Sequence, residues 1–446
     1  MATASTSLQS PVDPPPAPDR AGASREQLDL HAVEMRRHLP RNYAIIITEG
    51  AMFAGGMAMI DPTAVMPRLI EKLGGPNWLI ALMPLAGFIG MAIPQLIIAH
   101  WIEKLPRMKP LIMVMGTLQR CAYLVPGLVI LLFPFVSPLY LLVAVASAPF
   151  ISGLFSGAHL SAWQELVAKT IPQKRLSSAF GIRLFIGSLI GAAMGSVVNV
   201  ILARYPGITG FGVLYCLMFL MSCVSIVLIG FSIEPPLPPK RTDPDYTVHD
   251  FLRLIIPMIR NDRRLFFMVM VRIFAAGIFI VSPFLGIQAL RVLHLPDSAL
   301  GFFVSMQMLG SLSGYAIGGV LGDKKGGKPV LSLCFTIFIV LAFWFAVAGT
   351  NFEFSAIFFL YGAANAFSFV GMMPLTMQLC PIDKRIAYLT IISFASLPGL
   401  CIAWAVATFG KSLSGEMAIP AAGAALMALA ALVFLSKIRP SADPVH

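Results

Sequence analysis

The sequence predicts an all-α integral membrane protein, with twelve transmembrane helices in two pseudo-symmetric six-helix bundles. Three observations carry this. Of 446 residues, 57% are hydrophobic and only 12% charged, where a soluble domain holds about 25% charged residues. The apolar residues gather into twelve runs of about 20 or more, each enough at 1.5 Å per residue to cross a core of roughly 30 Å. The Lys and Arg residues sort to one side: 24 fall on one set of connecting segments and five (Arg68, Lys72, Arg204, Arg291, Lys411) on the other. By the positive-inside rule the first set is cytoplasmic, so both termini are placed inside a cell (inner or plasma) membrane. The net charge of +11 is then a topology signal and not a nucleic-acid footprint.

Taken in order, residues 1–42 form a cytoplasmic tail. "SPVDPPPAPDRAGAS" has no periodicity able to bury a core, and no apolar run there reads as a signal peptide. "SREQLDLHAVEMRRHL" then places Leu28, Ala32, Met35 and Leu39 on one face of a short surface helix. The first bundle spans 43–231, with helices near 43–66, 77–99, 111–133, 138–160, 177–203 and 209–231. A cytoplasmic linker, 232–264, opens with "EPPLPPKRTDPD". It continues as a surface helix begun by a Thr247-x-x-Asp250 capping box. The second bundle spans 265–437, with helices near 265–289, 298–321, 329–349, 355–379, 387–409 and 416–436, and 438–446 form a tail. The six cysteines and seven histidines are scattered without ligand spacing, so neither a metal nor a cofactor is implied.

The two halves repeat. "IPQKRLSSAFGIRLFIGSL" after the fourth span parallels "CPIDKRIAYLTIISFASL" after the tenth. "HWIEKLPRMKPLIMVM" after the second parallels "LGDKKGGKPVLSLCF" after the eighth. Such a six-plus-six repeat is a common build of secondary transporters.

"GGVLGDKKGGKP" carries the most specific pattern: Gly319, Asp323, Gly326 and Lys328 meet G-x-x-x-D-x-x-G-x-K/R. Over roughly residues 40–437 the chain resembles the major facilitator superfamily, whose cytoplasmic gate this loop latches. The resemblance implies that Asp323 faces a helix amino terminus of the opposite half, which is reasonable because such termini attract carboxylates. The first-half copy, "AHWIEKLPRMKP", lacks the glycines and has Glu103 near the aspartate position. Pro172, Arg175 and Phe180-Gly181 match the loop before the fifth span, and Arg385 marks the parallel loop in the second half, so Arg175 and Arg385 join the gate. Gly187, Gly191 and Gly195 form a small-xxx-small ridge for close helix approach. The Gly-Pro pair of the superfamily's proton-coupled drug exporters is absent from this span.

Five charges lie inside spans: Glu49, Asp61, Arg120, Arg183 and Arg272. Counted along their helices, Glu49, Arg183, Arg272 and Arg120 share a layer about 9–13 Å from the cytoplasmic side. Glu49 is either an ion-pair partner of Arg183 or Arg120, or a protonatable coupling site. Arg272 has no carboxylate in the spans of its half; it reaches a loop residue such as Asp383 or meets an anionic solute. Asp61, about 27 Å along, is a gate candidate near the outer mouth. Tyr361, Asn365 and Gln307 are solute-binding candidates or helix–helix hydrogen bonders.

The expectation is therefore a monomeric secondary active transporter with no enzymatic activity. It moves a small, anionic or amphipathic solute by alternating access, coupled to protons, among membrane lipids. The other readings are a proton-driven exporter of hydrophobic compounds and a non-transporting sensor or assembly protein on the same fold. No nucleophile, metal cluster or paired acids mark a lipid-modifying enzyme.

Overall fold

The computed structural model describes residues 25–102, 105–133, 135–235, 248–379 and 385–438, and among them all regular structure is helical. The first helix, α1 (Arg25–Met59), is one unbroken rod of 35 residues. A separate surface helix before the first span is thus corrected. The Leu, Met, Arg, Glu and Ala around Pro40 favour helix strongly enough to carry it past the missing N–H. The first span stops earlier than residue 66 and continues as α2 (Val65–Lys72). The break has a local cause. Pro62 has no N–H and disfavours helical backbone at Asp61. The Asp61 carbonyl and carboxylate then take the amides that open α2: Val65 N at 3.0 Å and Met66 N at 3.1 Å on the carbonyl.

Long helices follow: α3 (Asn77–Ile102), α4 (Lys109–Leu132), α5 (Pro138–Thr170), α6 (Gln173–Arg204) and α7 (Thr209–Gly230). A surface helix, α8 (Val248–Asn261), precedes the second bundle; Thr247 of the expected capping box lies outside the described residues. The seventh span is broken into α9 (Arg263–Ala275), α10 (Ile278–Val281), a 3₁₀ turn (Ser282–Phe284) and α11 (Leu285–Leu293). Gly277 and Pro283 sit at the breaks, where helix propensity is weakest. Then come α12 (Ala299–Lys325), α13 (Gly327–Val347), α14 (Asn351–Leu379), the interrupted eleventh span α15 (Arg385–Phe394) and α16 (Ser396–Ser414), and α17 (Ala418–Lys437). Ten segments among the described residues are long and apolar enough to cross a membrane. With α1–α2 and α3 packed beside them, the order is that of twelve spans.

Lipid tails are as apolar as leucine, so close packing and hydrogen bonds, rather than exclusion of water, hold such helices together. Within the first bundle α1 lies on α6 and α7, α3 on α5, and α4 on α5 and α7. Within the second, α14 lies on α12 and α13, and α17 on α13 and α9. The bundles meet most extensively where α6 packs on α12 and α3 on α16, with α3 also touching α10 and the 3₁₀ turn, and α2 touching α11. The α6–α12 seam is backbone against backbone. A Cβ on Gly301 would lie 2.3 Å from Gly195 O, and one on Gly195 would lie 2.6 Å from Gly301 O. This is the approach expected of the glycine ridge.

The membrane faces are named by what they carry. The α2 face holds α2 and the α11–α12 turn; the linker face holds α8 and the start of α6. On the linker face, chain leaving α7 is pinned to the first bundle. Asn42 exchanges two 2.9 Å hydrogen bonds with the Ile233 backbone. Glu234 accepts from Met108 N at 2.9 Å, Lys109 N at 3.1 Å and Lys169 Nζ at 3.1 Å. A carboxylate at the start of α4 is also favoured by the helix dipole.

Candidate functional site

Two polar centres occupy the membrane interior, and each contains one of the carboxylates of the first span. In the linker half, Glu49 is buried, and its Oε2 lies 3.1 Å from Arg183 Nη1. The two atoms are poorly aligned for a hydrogen bond, so the contact is chiefly Coulombic. Arg183 comes this close because residue 50 has no side chain: a Cβ there would sit 1.7 Å from Arg183 Nε. The guanidinium also lies 4.4 Å from the centre of the Trp163 ring, a favourable cation–π stack.

Glu49 has a second cation at one remove. Ser225 Oγ donates to Glu49 Oε1 at 3.2 Å and accepts from Arg120 Nη2 at 3.0 Å. Arg120 is fully buried and fixed by Ser222 O and Gly116 O, both at 2.7 Å. It is thus a held cation, while Arg183, with 18% of its side chain exposed, is a releasable one. His159 is buried within reach of the fields of both arginines. Sequence reasoning passed over His159, Ser222 and Ser225. The usable signals were spacings: His159 lies one helical turn before Trp163, and Ser222 and Ser225 share one face of α7.

The second centre lies toward the α2 face. Asp61 is 3% exposed. Its Oδ1 accepts from Thr63 N at 2.8 Å, Ala64 N at 3.0 Å and the Thr63 hydroxyl. Its Oδ2 accepts from Gln307 Nε2 of α12 at 3.1 Å, and Thr63 Oγ1 lies 3.0 Å from Gln307 Oε1. Gln307 therefore ties the first bundle to the second. Tyr361 of α14 and Ser282 of the 3₁₀ turn adjoin each other, with Tyr361 also in the field of Asp61. Both are fully buried and neither hydroxyl has an aligned hydrogen bond. Two of the sequence's solute candidates, Gln307 and Tyr361, thus gather around its outer-gate candidate.

Outside this centre an ion-pair network joins the bundles. Asp297, in the α11–α12 turn, accepts from Arg68 Nε at 2.8 Å and from Lys72 Nζ. Glu71 binds Arg68 at 2.6 Å and Arg291 of α11 at 2.7 Å. Burial alone would push the Asp297 carboxyl up; hydrogen bonds and charge from Lys72 and Arg68 outweigh it and hold the carboxyl below its ordinary range. Asn199 Nδ2 donates to Ser298 O at 3.0 Å, and Trp404 Nε1 donates to Trp78 O at 2.9 Å. The side-chain hydrogen bonds described between the two bundles all lie in the α2 half. Sequence reasoning missed Asp297, although "LPDSAL" puts an acid opposite the Arg68 and Lys72 of the other bundle's outer loop.

Among the described residues the expected linker-face latch makes no contact across the bundles. Asp323 is exposed and makes no hydrogen bond or ion pair among the described residues. Gly326 takes φ +81 where α12 turns into α13, and nothing lies within 4 Å of a Cβ on Gly319. Lys328 donates to Ser436 O at 3.1 Å and Ile438 O at 2.7 Å, closing the carboxy-terminal end of α17 within its own bundle. Arg175 is exposed, and the side chain of Arg385 lies outside the described residues, as does Asp383. Arg272 has a buried Nε without a partner; Asn365 is exposed and unbonded among the described residues.

Comparison with solved structures identifies the architecture. A mutant of the nucleoside transporter NupG matches with a TM-score of 0.67 at 12% identity, covering 89% of this chain and 98% of that one. A D-xylose–proton symporter matches with a TM-score of 0.68 at 14% identity, covering 90% and 98%. The chain thus has the major facilitator fold, that of a multi-pass membrane protein. No protein-family model matches the sequence, and no curated protein matches it.

Proposed function

We propose that the protein is a secondary transporter that carries a small anionic or amphipathic solute by alternating access, coupled to a cation gradient. The sequence's expectation for that cation is the proton. One observation carries the reading: two bundles of this fold are locked together by side chains at one face while, among the described residues, Asp323 of the other face's latch has no partner. The positive-inside bias makes the linker face cytoplasmic, so this state is closed to the outside and opens inward. The names of the two structural neighbours support transport but not a choice of solute.

The anion preference rests on the arginines. Arg272 is a cation inside a span with no carboxylate partner among the described residues, where charges ordinarily pair. Arg183 holds Glu49 through a contact that a solute carboxylate or phosphate can replace with better geometry, because guanidinium binds such groups in a two-pronged fashion. Glu49 keeps Arg120 through Ser225 when Arg183 leaves, so the exchange does not strand a bare charge. The decisive experiment is counterflow in liposomes with a panel of labelled organic anions, nucleosides, sugars and amphipathic cations. Saturable flux of an anion, lost in Arg272→Ala, supports the reading. Flux confined to amphipathic cations would favour the exporter, and no flux of any panel member would contradict transport.

A further inference from the structure

We propose that Asp61, Thr63, Gln307, Tyr361 and Ser282 form a binding site for a monovalent cation, assembled from both bundles when the α2 face closes. The consequence for coupling rests on the transporter reading; the site itself does not.

The inference begins with a contrast. Glu49 has Arg183 beside it and Arg120 behind Ser225. Asp61 is as deeply buried, yet no Lys, Arg or His contacts it among the described residues. Arg68, nearby in sequence, is committed to Glu71 and Asp297. The groups facing Asp61 are Thr63 and Ala64 from its own turn, Gln307 from α12 and Tyr361 from α14, and of these Tyr361 alone titrates. A carboxylate inside a membrane without a countercharge is driven to acquire one, from a proton or a bound ion.

The second observation is a pair of adjoining buried hydroxyls. Tyr361 Oη and Ser282 Oγ are fully buried and, apart from each other, have no partner among the described residues, whereas buried polar groups are almost always satisfied. They adjoin each other, and Tyr361 lies in the field of Asp61, whose Oδ2 accepts one hydrogen bond, from Gln307 Nε2. One carboxylate among neutral oxygens is a donor set that hard cations favour. The same set serves a proton on Asp61 Oδ2, because a protonated carboxyl gains a donor for a hydroxyl. The shared chemistry is a monovalent positive charge that neutralises Asp61.

Asp61 and Thr63 belong to the first bundle; Gln307, Tyr361 and Ser282 belong to the second. The site is complete only while the bundles meet, so the cation binds the closed α2 face better than the open one and shifts the population toward it. This makes Asp61, rather than Glu49, the carboxylate that senses the ion.

The test uses the full chain, purified in nanodiscs, with thermal unfolding as readout. Sodium chloride is titrated against choline chloride at constant pH and ionic strength, and pH is varied from 8 to 5 without sodium. A saturable rise in Tm with sodium, absent in Asp61→Asn, identifies sodium. A rise in Tm as pH falls, flattened in Asp61→Asn while sodium does nothing, identifies the proton. Tyr361→Phe and Ser282→Ala, which keep size and burial, should move whichever midpoint is found by about tenfold. Midpoints unchanged in all three variants overturn the site. Solute counterflow in the same preparation is read separately: if it is absent while the cation titration holds, transport fails and the site stands.

Discussion

Arg183 reaches Glu49 across a gap that exists because residue 50 is glycine. Gly50→Ala should therefore displace the guanidinium from Glu49 and from Trp163. Breaking a buried pair costs about 3–5 kcal/mol; the partial exposure of Arg183 puts this one at the lower end or below. Thermal unfolding should show the loss, and Glu49→Gln added to Gly50→Ala should recover part of it, since the stranded charge is gone. No recovery would mean that the glycine matters for packing alone. Ser225→Ala removes the hydroxyl between Glu49 and Arg120 and should lower stability by about 1–2 kcal/mol. At this scale the sequence was readable wherever a charge interrupts an apolar run, as at Glu49, Asp61, Arg120, Arg183 and Arg272. It was silent on the neutral groups that decide what each charge does. Ser225, His159 and Gly50 are ordinary residues for a membrane helix, and only their placement beside an arginine distinguishes them.

Helices in this fold are shaped by their interruptions. The break between α1 and α2 follows from Asp61-Pro62, and the broken seventh span from Gly277 and Pro283; both signals stood in the sequence, which nonetheless read as continuous spans because apolar length dominates. Conversely, the short surface helix expected before the first span runs on through Pro40 into it, because good helix formers surround that residue. The glycine ridge of α6 was legible, but its partner was not: Gly301 and Ser305 on α12 emerge as its counterpart only in three dimensions. A contrast of two glycines tests this seam. Gly301→Leu drives a side chain into Gly195 O and Asn199 N, both 2.3 Å from a Cβ there. It should pry the α2 face apart and change the emission of Trp404, which is bonded to Trp78 O across the bundles. Gly319→Leu, with nothing within 4 Å, should leave emission and stability unchanged. Equal effects of the two would remove the seam from the account.

At the scale of the whole molecule, the proposed function makes the Asp297 network the lock that sets which face is shut. Asp297→Asn keeps shape but gives up the charge that holds Arg68 and Lys72, a loss of about 1–3 kcal/mol and so a shift of roughly 5- to 150-fold toward the open α2 face. The pH dependence has a definite sign. The Asp297 carboxyl is depressed in the closed lock and returns to about 3.9 when the lock parts. Its contribution is complete above that value and fades as pH falls through the depressed one. The Asp297 carboxyl should therefore not respond between pH 8 and 5, and the part of any response there that Asp61→Asn removes belongs to Asp61. The most direct measurement of alternating access is a pair of spin-label distances on a background free of native cysteines. One pair, Tyr205→Cys with Leu413→Cys, spans the α2 face; the other, Arg175→Cys with Lys324→Cys, spans the linker face. The account predicts a short first distance and a long second one, with Asp297→Asn lengthening the first as it shortens the second. Two distances that stay fixed, or that move in the same direction, would contradict it.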